Sequence, residues 1–307
     1  MSNKKSIFTI TLLTIFIVLI SSSFSITIED KNWLYPGFEQ YTNTFYHKQS
    51  QISSKNAANL EIKWAWEIPR RSPPVIDKEG NAVRGSWTPP LVINDIVYTA
   101  TFDNQFFALD AKDGKVICKY EVPKDKIDGQ LKYSGRGITY HNGSILMTAA
   151  DCSIYAFDLK DCSVKWTFPS TCENIPGNLG YYRAMNPPLI YGEYLIATNT
   201  GGEYGARGFV AAYNITTKKL LWRWYVTPPQ VEGPKNWHLE AYKGNIKPYK
   251  DDWGNSSLIG GGTIWGWPAI DTEKNILYLG TGDPSPDLNG LTRPGPNLYT
   301  DSVVALN

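Results

Sequence analysis

The chain has 307 residues, 42% hydrophobic and 19% charged, with 30 Lys and Arg against 29 Asp and Glu. That much apolar material excludes a disordered chain, and a net charge of +1 offers no broad field for nucleic acid or an anionic membrane surface. The 26 glycines and 20 prolines are spread throughout, which excludes collagen and coiled coil and disfavours a helical bundle.

At the N-terminus, Lys4 and Lys5 precede an apolar run over 7–20, followed by Ser21, Ser22, Ser23 and Ser25. A basic start, a short apolar core and small residues after it predict a secretory signal peptide over 1–25. The alternative is a single membrane anchor, for which the run is short. The expectation is a mature chain over 26–307 that is secreted or periplasmic, with no membrane association beyond the signal. Asn142-Gly143-Ser144, Asn214-Ile215-Thr216 and Asn255-Ser256-Ser257 are N-glycosylation sequons, meaningful only in a eukaryotic secretory pathway. Cys118, Cys152, Cys162 and Cys172 form an even set, suited to disulfides in an oxidising compartment. There is no Cys-x-x-Cys, and His47, His141 and His238 are too scattered for a zinc site.

Beyond a polar-aromatic stretch at 32–54 and an expected outer strand at 62–68, a repeat sets the fold class. The first copy has an apolar strand from Leu91, an Asn94-Asp95 turn, a second strand through Ala100, then Phe107-Ala108-Leu109-Asp110 and a hairpin closed at Asp113-Gly114. The second runs from Gly137 through the turn His141-Asn142-Gly143 to Tyr155-Ala156-Phe157-Asp158 and Trp166. The third runs from Pro188 through Tyr191-Gly192-Glu193 to Ala211-Ala212-Tyr213-Asn214 and Trp222. A fourth starts at Pro268-Ala269-Ile270, turns near Glu273-Lys274 and reaches Val304-Ala305-Leu306-Asn307. Ala108, Ala156 and Ala212 are each followed ten residues later by Cys118, Trp166 and Trp222. One copy of about four short strands cannot bury both faces alone, whereas stacked copies can. The expected fold is therefore an all-β propeller of four-stranded blades. A Pro-, Gly-, Lys- and Asp-rich stretch at about 227–262 interrupts the repeat as a loop insertion.

At these residues the chain resembles the pyrroloquinoline quinone (PQQ)-dependent alcohol dehydrogenases, the methanol-dehydrogenase-like quinoproteins, whose eight-bladed propellers carry a tryptophan-docking motif. The resemblance covers about 33–307, so the chain would hold about half of such a propeller. Two strings carry it most specifically: Gly201-Gly202-Glu203-Tyr204-Gly205-Ala206-Arg207-Gly208, and Gly260-Gly261-Gly262-Thr263-Ile264-Trp265-Gly266-Trp267 with Gly280-Thr281-Gly282-Asp283-Pro284 after it. The resemblance implies that Glu203 binds a calcium ion on the quinone, with Asp283 as second ligand where the family commonly has Asn. It implies that Thr200 and Gly202 hydrogen-bond the quinone, that Trp265 is the floor on which it stacks, and that Arg136, in Gly135-Arg136-Gly137, contacts it. These residue types suit the chemistry. Calcium takes hard oxygen ligands, two carboxylates on one face repel without a cation, and a flat anion wants an aromatic face and a cation beside it.

The same resemblance implies the disulfides. The docking tryptophan of one blade packs near the glycine seven positions into the next blade's motif. Both places have become cysteine, which implies Cys118–Cys162 and leaves Cys152–Cys172 across one hairpin. The chain also departs from the family. A vicinal cysteine pair before the arginine is replaced around Gln130-Leu131-Lys132, and Trp87 stands where a polar residue is common. The family's catalytic Asp lies beyond Asn307, so no catalytic residue is assigned. The chain is expected to be a fragment, a truncated product or one half of an assembly completed by a second chain or C-terminal half. Two functions remain open: a quinoprotein oxidising a small alcohol through calcium-bound PQQ, or a cofactor-free propeller acting as a binding or scaffold module.

Overall fold

Strands of two to six residues close on tight turns, and the turns fall where the sequence puts Asn, Asp and Gly. The computed structural model describes residues 32–307 except 47–50, 72–73, 75–79, 81–84, 128–135, 174, 176–181, 229–238, 241–252, 254–259, 292 and 294. The expected signal peptide lies outside the described residues, as does most of the expected 227–262 insertion. Trp33–Asn307 form one compact unit.

In the first sheet, β1 (Leu91–Ile93) and β2 (Ile96–Ala100) are joined by Asn94 and Asp95, both with positive φ. That handedness matches the twist of an antiparallel pair. β3 (Gln105–Asp110) and β4 (Val116–Glu121) complete the order β1-β2-β3-β4. The second sheet repeats it with β5 (Ile138–His141), β6 (Ser144–Thr148), β7 (Ile154–Asp158) and β8 (Val164–Phe168). The third has β9 (Leu189–Tyr191), β10 (Tyr194–Thr198), β11 (Phe209–Asn214) and β12 (Leu220–Tyr225), with β13 (Leu239–Glu240) as a fifth, outermost strand. Two-residue β14 (Gly260–Gly261) pairs with β17 (Pro284–Ser285). β15 (Ala269–Asp271), β16 (Ile276–Gly280) and β18 (Val303–Leu306) form a three-stranded sheet.

In the second sheet the middle strands are the most buried. β6 is buried throughout, β7 all but its last residue, and β8 alternates. The cores lie between sheets, not within them. One cluster joins Leu91, Phe106 and Ala108 of the first sheet to Ile145 and Phe157 of the second. The next joins Leu146 and Ala156 to Leu195 and Phe209 of the third. The last joins Val210 and Trp224 to Ile270 and Leu279 of the fourth. Each sheet thus gives one face to each neighbour, the packing of successive propeller blades.

The repeated alanines do what the motif requires. Ala108 faces Cys118, Ala156 faces Trp166 and Ala212 faces Trp222 across the outer strand pair, with a register shift immediately after each alanine. Trp166 and Trp222 pack against the inter-blade cores. Where the first blade has cysteine instead, a disulfide takes over: Cys118 bonds Cys162 in the next blade, and Cys152 bonds Cys172. Both pairings agree with those the resemblance implied.

The 62–68 segment is not the expected strand, because it makes no strand pairing. Its tryptophans dock it instead. Trp64 donates from Nε1 to the Ala111 carbonyl at 3.0 Å, and its ring lies so close to Gly114 that a β-carbon there would sit 2.7 Å from it. Trp66 meets the Phe107 ring edge-on at 4.8 Å.

Candidate functional site

The two glycine-rich strings fold onto each other at one end of the blades. Gly208 donates its amide to the Gly261 carbonyl and Gly261 donates to Ala206, at 2.8 and 3.0 Å. The 3-10 turn Gly202–Tyr204 sits directly against this crossing. A β-carbon on Gly202 would lie 2.9 Å from the Gly261 α-carbon, so only glycine allows the approach. The effect is to hold Glu203 at the mouth of a cavity of about 420 Å³ whose walls include Trp87, Arg136, Arg183, Thr200, Glu203 and Trp265.

Each wall is braced from behind. Arg136 donates its backbone N–H to Met185 at 3.0 Å. Thr200 and Arg183 exchange backbone hydrogen bonds at 2.7 and 3.3 Å, and the Arg183 guanidinium lies 4.8 Å from the centre of the Tyr204 ring. Trp265 donates from Nε1 to the Thr263 hydroxyl at 2.8 Å. Asn186 donates to the carbonyls of Ile264 and Gly266 on either side of that tryptophan, at 2.8 and 3.1 Å. The indole is therefore held in place although its outer part meets solvent.

The electrostatics are mixed by design of the walls. Arg183 is buried and Arg136 half-buried. Burial lowers the Arg136 pKa, and the negative charge of Glu203 opposes that. The Arg136 guanidinium carbon lies over two indoles, 4.9 Å from the Trp87 centre and 4.7 Å from that of Trp265. Three carboxylates influence one another electrostatically. The Asp287 carboxyl is pushed up to about 6, first by loss of water around it, then by the charge of Asp283 and a hydrogen bond with it, and by the charge of Glu203. The charges of Glu203 and Asp283 thus both bear on Asp287. Among the described residues no three carboxylate, His or Cys side chains form a ready cage for a metal.

Of the residues singled out in the sequence, Arg136, Thr200, Glu203 and Trp265 meet in this one cavity. Gly202 is buried beside it. Asp283 is exposed and is not among the residues lining the cavity, and its backbone carbonyl accepts from Gly262 at 2.7 Å. Sequence reasoning missed Arg183, which no motif marks. It also missed Asp287, although that residue lies only four positions after Asp283. Asn186 carries no signal in the sequence, because its role is visible only once the 264–266 segment crosses it.

Comparison with known proteins identifies the family. The family profile described as glucose/ethanol/alcohol dehydrogenase, beta-propeller domain, of the PQQ type, matches residues 36–307. The chain belongs to this family. It is 30% identical over 280 residues to a lanthanide-dependent methanol dehydrogenase of Methylorubrum extorquens, covering 87% of this chain and 43% of that protein. It is 31% identical over 295 residues to the dehydrogenase subunit of an alcohol dehydrogenase (quinone) of Gluconobacter oxydans, covering 90% and 36%. The solved quinohemoprotein alcohol dehydrogenase ADHIIG of Pseudomonas putida superposes with a TM-score of 0.70 at 26% identity, covering 92% of this chain and 40% of that one. The chain thus spans about two fifths of the length of these PQQ-family relatives. Among the described residues, no helix is long and apolar enough to cross a membrane.

Proposed function

We propose that this chain forms the quinone-binding part of a PQQ-dependent dehydrogenase that oxidises a small alcohol, exported to a secreted or periplasmic location. The observation that carries the reading is the meeting of Trp265, Arg136, Arg183, Thr200 and Glu203 in one cavity of about 420 Å³, in a chain of this family. The donor set suits the group. Trp265 offers a flat face to a fused ring system. Arg136 and Arg183 are placed for the carboxylates of an anionic cofactor. The Gly202 turn lets backbone approach closely. Thr200, whose hydroxyl lies 3.4 Å from the Arg183 carbonyl, would supply a hydroxyl for hydrogen bonding to the quinone.

Glu203 and Asp283 are the residues that would hold a divalent cation, which we take to be calcium. Glu203 and Asp283 both bear on Asp287 with like charge, and like charges of this kind are what a hard cation with oxygen ligands relieves. PQQ, when bound, supplies the two-electron acceptor, and the cation supplies Lewis acidity. The chain's own residues would hold the ring on Trp265, neutralise its acid groups with the two arginines, and bind the cation through Glu203 and Asp283. No proton-abstracting residue is assigned within the chain.

The test is addition of PQQ to the purified chain with calcium, with lanthanum and with chelator, followed by quinone absorbance and metal analysis. Saturable, cation-dependent uptake is expected, and Glu203→Gln should weaken it at least tenfold while the circular dichroism stays unchanged. Absence of quinone binding under all three conditions would favour the cofactor-free scaffold instead.

A further inference from the structure

A second cavity of about 490 Å³ adjoins the first and shares with it Trp87, Arg136 and Trp265. Those three side chains are therefore the partition between an inner, charged space and an outer vestibule. The vestibule is aromatic: Phe45 and Trp267 stack there at 5.5 Å with their planes 29° apart. The partition itself is two indole faces addressing one point, since the Arg136 guanidinium carbon lies over both rings at 4.9 and 4.7 Å. The two ring centres cannot be farther apart than those distances laid end to end. Stacking contacts need about 3.5–4.0 Å per layer. Together these admit at most one planar layer between the indoles and leave no room for two.

Both walls are fixed independently of Arg136. Trp265 is held by Thr263. Trp87, exposed as it is, stands edge-on against Phe102 at 4.7 Å and 80°. Its neighbour Ser86 donates to the Ala100 carbonyl at 2.6 Å, and Phe102 donates to Gly85 at 2.9 Å. Arg136, in contrast, is anchored through its backbone N–H, while its guanidinium rests on the two indole faces.

We infer that Trp87 is a second stacking wall, so that this chain grips one planar aromatic anion between Trp87 and Trp265, with Arg136 as the exchangeable guanidinium that yields the slot and pairs with the anion's carboxylates at its edge. The inference rests on the quinone-binding reading above and adds to it a specificity element. An indole on each face selects fused flat rings over puckered or branched ligands of equal charge. A guanidinium stacked on indole is readily replaced by an aromatic ring, because both interact with the same ring face.

The experiment uses the full chain and PQQ as probe. Dissociation constants are read by tryptophan fluorescence quenching and equilibrium dialysis, for the wild type, Trp87→Ala, Trp87→Phe and Trp265→Ala, with circular dichroism as the check of fold. Trp87→Ala is expected to bind about tenfold or more weakly, on the scale of one ring–aromatic stacking contact. Trp87→Phe should recover most of the loss, and Trp265→Ala should weaken binding at least as much. Binding by Trp87→Ala within twofold of wild type would overturn the second wall while leaving the quinone site standing. If the wild type itself binds no PQQ, the reading beneath it fails, and the two failures are thereby told apart.

Discussion

A histidine at the end of β5 shows how a single side chain carries a pH dependence with a definite sign. His141 is half-buried, and burial lowers its pKa from the usual value near 6.5. In the unfolded chain it takes a proton more readily than in the folded one, so stability falls as pH falls. The stability is fully present above the ordinary histidine pKa and is lost as pH drops through the lower, folded value. The His141 contribution is therefore expected to fall away as pH drops from about 7 towards 5, against the opposite contribution of Asp287, whose raised pKa adds stability as pH falls through about 6, and His141→Gln should remove the His141 part of the profile. Urea midpoints across the range check it; parallel profiles for the two proteins would exclude His141 as the source. At this scale the sequence was legible where chemistry and motif coincide. Glu203, Trp265 and Arg136 sit in glycine-rich strings whose pattern marks a close backbone approach. Arg183 and Asp287 were not legible, because their importance comes from where remote loops place them and no spacing rule reports that.

Between elements, the cross-strand and inter-blade contacts are what turn similar sheets into a stack. Tyr98 in β2 is almost fully buried and sends its hydroxyl to the Leu159 carbonyl in the next blade, at 2.9 Å. Its pKa is pushed up to about 12 by burial and by the charge of Asp158, as expected for a phenol that stays a donor. Tyr98→Phe keeps the ring and removes the link, and leaves one carbonyl short of its partner. The expected cost is about 1 kcal/mol, read as a lower urea midpoint with unchanged slope. No measurable change would mean that water replaces the phenol at no cost. The strands and turns of the four copies were readable because apolar alternation and Asn, Asp and Gly turns act locally. The 62–68 segment was misread for the same reason. Its alternating residues, Trp64 and Trp66 among them, look like a strand, yet the segment is held by indole docking on Gly114 and Phe107 and not by a backbone ladder.

For the molecule as a whole, blades packed in series make stability a sum of blade and interface terms, and the two disulfides act on different terms. Cys118–Cys162 spans 44 residues and ties one blade to the next, whereas Cys152–Cys172 spans 20. The loop it closes gives the first bond a larger effect on the unfolded chain, about 4 kcal/mol against about 3 kcal/mol on the chain-entropy scale. It also stands in the place of a docking tryptophan, so its loss removes the covalent part of the first interface. The Cys118→Ala, Cys162→Ala double variant is therefore expected to lower the denaturation midpoint more than the Cys152→Ala, Cys172→Ala variant. It should also broaden the transition, because the first blade can then open ahead of the rest. Guanidinium unfolding followed both by tryptophan fluorescence and by far-ultraviolet circular dichroism separates the cases. Non-coincident curves are expected for the first variant and coincident curves for the second. The reverse order of midpoints, or coincident curves for both, would show that the first interface holds by apolar packing alone, through Phe106, Phe157 and their neighbours.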